Sequence, residues 1–334
     1  MNKATGTKND LCLSVRHLRT NFYTDRGVMH AVRDVSFDVE KGEFLGIVGE
    51  SGCGKSVTAF SVLNQVQRPG KIDSGEVLFH GTNILELSPN EMRKLRGSSM
   101  SMIFQEPLTA LNPAFTIGWQ IGEAYRIQGE KNKKVIREKT LDILQRVCLP
   151  DPIMRMKEFP YQFSGGMRQR ALIAVALACN PELVFADEPT TALDVTVQAE
   201  VLDLLQSLQE EMGMSIVLIS HNLNLIGERC SRVLVFYAGK IVEEAETEEL
   251  FRNPSHPYTR GLLSSLISIR QDAKQELKTI PGEVPNLLED IPYCAFAPRC
   301  PHAMKRCFEE QPEWTEVGPK HHCECFLYEK GWTV

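Results

Sequence analysis

The chain has no run of about 18 consecutive apolar residues, so none of it is expected to span a bilayer. Residues 1–10 are polar and lack the apolar stretch of a secretory signal, which predicts a chain that stays in the cytosol. A basic excess is also missing. Lys and Arg number 37 against 43 Asp and Glu, a net charge of −6, and without a basic stripe there is no electrostatic reason to expect nucleic acid as a partner. What remains is an ordinary folding composition, 43% hydrophobic and 24% charged over 334 residues.

The first segment with chemical content is Gly49-Glu50-Ser51-Gly52-Cys53-Gly54-Lys55-Ser56. It follows a short apolar, strand-like run (residues 43–48) and precedes a helix-like run (57–63). That is the context a phosphate-binding loop needs. Glycines at 49, 52 and 54 let consecutive N–H groups curl round phosphates at a helix N-terminus, where the dipole favours negative charge. Lys55 then reaches the β- and γ-phosphates and the Ser56 hydroxyl can ligate Mg²⁺. A second apolar strand, Leu183-Val184-Phe185-Ala186, ends in Asp187-Glu188. Asp187 can hold the metal, and Glu188 can polarise the attacking water.

Ser164-Gly165-Gly166-Met167-Arg168-Gln169 is another phosphate-gripping segment, and one nucleotide needs only the first. The surplus implies an ATP site completed between two subunits. At this point the chain resembles the ATP-binding cassette (ABC) ATPases, in which Ser164 to Gln169 matches the signature motif. The resemblance implies that Gln105 is the Q-loop glutamine and a Mg²⁺ ligand beside Ser56 and Asp187, that Ala192-Leu193-Asp194 is the D-loop, and that His221 is the switch histidine. It makes Glu188, His221 and Gln105 the catalytic group. It makes Gly49, Ser51, Gly52, Cys53, Gly54, Lys55, Ser56 and Val57 the ATP contacts, with Phe22 stacking on adenine and Tyr23 the alternative. Met167 stands where glutamine is commonest and Asn222 where aspartate is commoner, and neither departure removes a catalytic group. Cys53 within the loop is expected to make the site sensitive to thiol reagents.

The implied fold is α/β: a P-loop core with a mostly parallel sheet flanked by helices, an antiparallel β subdomain, an inserted helical subdomain and a small Cys-rich C-terminal extension. Strands are expected near 11–15, 35–39, 76–79, 183–187, 215–219 and 232–236. Helical periodicity runs through 121–127, 134–147, 171–179 and 197–212. The nucleotide-binding domain is placed at 1–247, its helical subdomain at about 106–180, and the extension at 248–334.

The tail narrows the resemblance to dipeptide and oligopeptide importer ATPases. Asn253-Pro254-Ser255-His256-Pro257-Tyr258-Thr259-Arg260, an apolar helix over 261–267 and Pro281-Gly282-Glu283-Val284-Pro285 are similar to that branch, as is Glu106-Pro107-Leu108-Thr109-Ala110-Leu111-Asn112-Pro113 after the Q-loop. The resemblance implies ATP and Mg²⁺ as cofactors and a peripheral position on the cytoplasmic face of the membrane. It implies as partners a second, homologous cassette, two transmembrane permease subunits contacted through residues 106–116, and an extracytoplasmic peptide-binding protein. Import of nickel or a sugar by a related system is the alternative, as is a soluble ABC ATPase, although the long heptad insertion or tandem cassettes of such proteins are missing.

Ten cysteines are present, five of them from Cys294 onward. Cys294, Cys300, Cys307 and Cys323 are separated by 5, 6 and 15 residues. A reducing cytosol disfavours disulfides, so a metal site is the better reading. The wide spacing and the similar tail of some peptide-importer ATPases point to a [4Fe–4S] cluster, with Zn²⁺ the alternative and His302, His321, His322 and Cys325 as substitutes in a zinc site.

Overall fold

The computed structural model describes residues 11–191, 193–265 and 280–329. Ala192 of the expected D-loop and residues 266–267 of the expected tail helix lie outside them. Strands β1 (Leu11–Thr24) and β2 (Gly27–Glu40) are joined through Asp25-Arg26 and so run antiparallel. The wholly buried β3 (Phe44–Val48) leads to α1 (Lys55–Val62), then β4 (Gly70–Phe79) and the short β5 (Thr82–Asn83). Helix α2 (Pro89–Leu95) starts from a capping box of Ser88 and Glu91. After β6 (Met100–Ile103) come α3 (Pro107–Ala110), α4 (Ile117–Ile127), α5 (Lys133–Arg146), α6 (Pro152–Arg155) and α7 (Gly165–Leu177). Next are β7 (Leu183–Asp187), α8 (Val195–Met212), β8 (Ser215–Ser220), α9 (Leu223–Arg229), β9 (Arg232–Tyr237) and β10 (Lys240–Glu246). The tail holds α10 (Thr247–Arg252), α11 (Pro257–Ser264), β11 (Trp314–Gly318) and β12 (His321–Glu324).

Several helices begin earlier than their apolar periodicity suggests, because polar caps start them. Thr116 accepts from the Trp119 N–H at the head of α4, Ser164 from Met167 at α7, and Asp194 from Val197 at α8.

The chain forms two compact units, each assembled from separate stretches. The first draws on Met1–Leu13, Val39–Glu43 and Phe79–Leu218. In it β8, β7 and β6 are neighbours, with β6 and β7 parallel from Met100↔Leu183 to Ile103↔Ala186. Helices α4, α5 and α7 pack on one another and bury Ile121, Tyr125, Ile136, Ile143 and Leu172. In sequence α4 and α5 lie between Gln105 and Ser164, and α7 begins just after Ser164.

The second unit takes Ser14–Asp38, Phe44–Leu78 and Ile219–Val334. Its strands β3 and β9 are parallel, from Leu45↔Arg232 to Val48↔Val235, which explains their unbroken apolar sequences. Beyond β9 the sheet turns antiparallel through β10, β12 and β11. The sheet is therefore mixed, and the Cys-rich tail contributes two of its strands. In a second sheet of this unit β2, β1 and β4 are neighbours.

Candidate nucleotide site

In the second unit, the loop from β3 to α1 turns through positive φ at Gly49, Gly52 and Gly54. Two of these positions have no room for a side chain. A Cβ on Gly49 would lie 2.3 Å from the Phe236 carbonyl oxygen, and one on Gly54 would lie 2.3 Å from that of Ala31. The loop is thus seated against the backbones of β9 and β2. Lys55 is buried, and its ammonium donates to the carbonyls of Gly49 (2.8 Å) and Glu50 (2.9 Å). Ser51 and Gly52 are exposed at the loop tip, while Ser56 and Val57 are half-buried in the first turn of α1. Cys53 is only 1% exposed, and burial pushes its thiol up, partly offset by the Lys55 charge. A buried neutral thiol is a poor nucleophile, which counts against the expected sensitivity to thiol reagents.

Of the two adenine candidates, Phe22 is half-buried with its ring edge against Gly70, where a Cβ would meet it at 2.8 Å. Tyr23 is exposed, and its hydroxyl donates to Asp73 at 2.7 Å. His221 is exposed just past β8, and the next residue, Asn222, caps α9 by accepting from the Asn224 N–H. Asparagine therefore does the capping work that aspartate could do at this position.

The first unit carries the acids. Asp187 ends β7 and is buried. Glu188 has a φ of 44°, a left-handed conformation that costs a non-glycine residue about 1 kcal/mol or more and recurs where a side chain must be aimed. Its Oε2 accepts from Gln105 Nε2 at 3.0 Å and from Thr191 Oγ1 at 2.9 Å. The Gln105 bond joins two residues that are 83 positions apart in the chain.

The signature segment heads α7 with Ser164 and Gly165 exposed and Gly166, Met167 and Arg168 half-buried. Gln169 is buried, and Arg168 Nε donates to the Pro160 carbonyl at 2.9 Å. Leu193 packs on the same helix end. Leu193 lies 3.5 Å from a Cβ built on Gly165, and Asp194, at the head of α8, is exposed.

Comparison with known proteins decides the family. The ABC transporter family model matches residues 32–191, and that of the oligopeptide/dipeptide transporter C-terminal region matches residues 242–307. A probable peptide ABC transporter ATP-binding protein of Sinorhizobium fredii is 48% identical over 98% of each chain. The dipeptide transport ATP-binding protein DppD of Bacillus subtilis is 45% identical over 95% of each chain. The chain is an ABC transporter ATP-binding protein of the oligopeptide/dipeptide family. A solved ATP-binding cassette, a dimer in a post-hydrolysis state bound to ADP and Pi, superposes with a TM-score of 0.64 at 26% identity, covering 70% of this chain and 98% of that one.

Among the described residues no helix is long and apolar enough to cross a membrane. What sequence reasoning missed is how the tail of this ABC protein meets its nucleotide loop. Arg299 forms an ion pair with Glu50, and the Tyr258 hydroxyl accepts from the Glu50 N–H. No local pattern marks partners 249 residues apart.

The tail cysteines also differ from expectation. Cys294, Cys300 and Cys307 line one small cavity, walled by Phe296, Met304 and Phe326, but the fourth cysteine there is Cys325. Cys323 sits in β12 opposite Glu243, fully buried, with its thiol hydrogen-bonded to Cys325. Of the other substitutes, His302 lines the cavity, whereas His321 is buried against Glu243 at 2.8 Å and the His322 ring stacks on Trp314. Burial pushes the Cys294 thiol up to about 12 and the Cys300 thiol to about 11. Among the described residues no three or more His, Cys, Asp or Glu side chains are disposed as a metal-holding group, so the expected set of Cys294, Cys300, Cys307 and Cys323 is not formed. Four thiols, Cys294, Cys300, Cys307 and Cys325, share this cavity with His256 and His302, side chains of the type that ligate metals.

Proposed function

We propose that this chain hydrolyses MgATP to drive import of di- or oligopeptides through a membrane permease, acting at the cytoplasmic face as one of two cassettes that complete each other's sites. The single observation that carries hydrolysis is the hold of Gln105 and Thr191 on the Glu188 carboxylate, which aims a base. Lys55 and the loop N–H groups take the β- and γ-phosphates, and adenine stacks on Phe22, with Tyr23 the alternative. Ser56, Gln105 and Asp187 are the residues to hold Mg²⁺, which neutralises phosphate charge when bound. Glu188 polarises the attacking water and His221 orients it toward the γ-phosphate. Ser164 to Gln169 serves the facing cassette's ATP, and Asp194 sits at that interface.

Residues 1–247 form the nucleotide-binding domain in this reading and 248–334 the extension. The names of the relatives support peptides as the solute; the partners in this reading are a homologous cassette, two permease subunits and an extracytoplasmic peptide-binding protein. If the tail binds a [4Fe–4S] cluster, Cys294, Cys300, Cys307 and Cys325 would hold it, with Zn²⁺ as the alternative. Binding there must deprotonate and turn the thiols, since metal affinity and thiolate formation are coupled.

The decisive experiment is Glu188→Gln. Hydrolysis should fall roughly 10²- to 10⁴-fold while ATP accumulates in a stable dimer of cassettes, read by size exclusion with and without MgATP. A variant that still turns over, or stays monomeric with ATP, sinks the mechanism. Uptake of labelled dipeptide, nickel or sugar into vesicles carrying the whole transporter then identifies the solute.

A further inference from the structure

Glu50 is the second residue of the nucleotide loop, and the tail grips it from two sides. Its backbone N–H donates to the buried Tyr258 hydroxyl at 2.9 Å. Its carboxylate receives both terminal nitrogens of Arg299, Nη1 to Oε2 at 2.7 Å and Nη2 to Oε1 at 3.0 Å, the bidentate geometry that fixes orientation as well as charge. The Arg299 side chain is 4% exposed, and the rest of its fork is occupied from behind. Nε donates to the Pro281 carbonyl at 2.9 Å, Nη2 to that of Ile280 at 3.3 Å, and Nη1 to the Tyr237 hydroxyl at 3.4 Å. Tyr258 is braced likewise, its ring 4.6 Å from that of Tyr237 and 5.5 Å from that of Phe296.

The consequence for the loop follows from the other half of Glu50. Its carbonyl, with that of Gly49, anchors the Lys55 ammonium. A contiguous chain therefore runs from Arg299 and Tyr258 through Glu50 to Lys55. Charge points the same way, because a loop that receives a polyphosphate carries an acid that would repel it unless neutralised.

We propose that the C-terminal region supplies two positioning residues, Arg299 and Tyr258, that neutralise and orient Glu50 and so set the affinity of the nucleotide loop for MgATP. This rests on the reading of that loop as the ATP site. It makes the tail part of the nucleotide site and not only an appendage of the cassette.

The test is equilibrium MgATP binding to the full-length chain, with thermal melting measured alongside. Arg299→Gln should weaken binding about tenfold, the scale of one charge-assisted pair, and the loss should shrink as salt rises. The double variant Glu50→Gln with Arg299→Gln should recover to within about twofold of wild type, since removing both partners leaves no stranded charge. A merely structural role for Arg299 predicts that binding falls only as far as the melting temperature does, whereas the positioning role predicts weaker binding by Arg299→Gln at temperatures where it stays folded. Tyr258→Phe keeps the ring packing, removes only the hydroxyl, and should weaken binding about threefold on the scale of one neutral hydrogen bond, which covers the case in which Arg299→Gln does not fold. Single variants that bind like wild type, or a double variant as weak as Arg299→Gln, overturn the proposal. A wild-type chain without saturable MgATP binding sinks the ATPase reading instead, and this inference with it.

Discussion

His256 shows how one buried side chain ties tail stability to pH. It stands at the head of α11, 2% exposed, and its Nδ1 accepts from the Tyr258 N–H at 3.0 Å, so the cap needs a neutral ring. Burial pushes its pKa from 6.5 down to about 4, with Glu243 pulling up and Arg260 pulling down. Above about pH 6.5 folded and unfolded chains both hold it neutral, and its contribution is fully present. Between 6.5 and about 4 only the unfolded chain takes up the proton, so stability falls as pH falls, by about 1.4 kcal/mol per unit. Below about 4 the contribution is gone. Urea unfolding at pH 7 and pH 5 should show this loss. His256→Asn, which keeps a capping acceptor but does not titrate, should flatten that part of the slope; an unchanged slope would assign the effect to other groups.

At the scale of elements, what could be read in advance was what local sequence determines. The loop glycines, the strand before them and the helix after them lie within one short stretch, so chirality and backbone room settle the geometry there. Ser164 and Asp194 begin helices for the same local reason. Strands β11 and β12 were invisible, because β12 reads His-His-Cys-Glu, which suggests ligands and not pairing, and it becomes a strand only by lying on β10 with Glu243↔Cys323 and Glu244↔His322. That pairing also explains the exchange of cysteines. Within β12 alternate residues turn inward, so His321 and Cys323 are buried in the sheet, while Cys325 lies past the strand end where the chain leaves it for the cavity. In anaerobically purified protein, Cys300→Ser and Cys325→Ser should lose bound iron, and Cys323→Ser should keep it, by iron and sulfide analysis and visible absorbance. Iron lost from Cys323→Ser but retained by Cys325→Ser would restore the original ligand set, and zinc in place of iron would select the alternative metal.

For the whole molecule, work on a solute requires that nucleotide chemistry reach the permease, and the first unit carries an exposed apolar surface next to Gln105. Leu108 in α3 is 62% exposed, and Phe115 and Trp119 stack at 3.9 Å while remaining more than a third exposed. These apolar groups follow directly on Gln105, which holds Glu188. An exposed aliphatic and aromatic cluster is the composition of an interface core and is costly to leave wet. Leu108→Asp places an unpaired charge in such a core. It should reduce co-purification with the permease subunits about tenfold or more, the cost of burying one uncompensated charge. The same variant should bind MgATP in isolation within about twofold of wild type, because residue 108 lies in α3, outside the nucleotide loop. Retained permease binding would move the docking surface elsewhere on the cassette. Loss of both properties together would mean that the substitution disturbs the fold around Gln105, which the Glu188→Gln trap, repeated in the Leu108→Asp background, would separate from a docking defect.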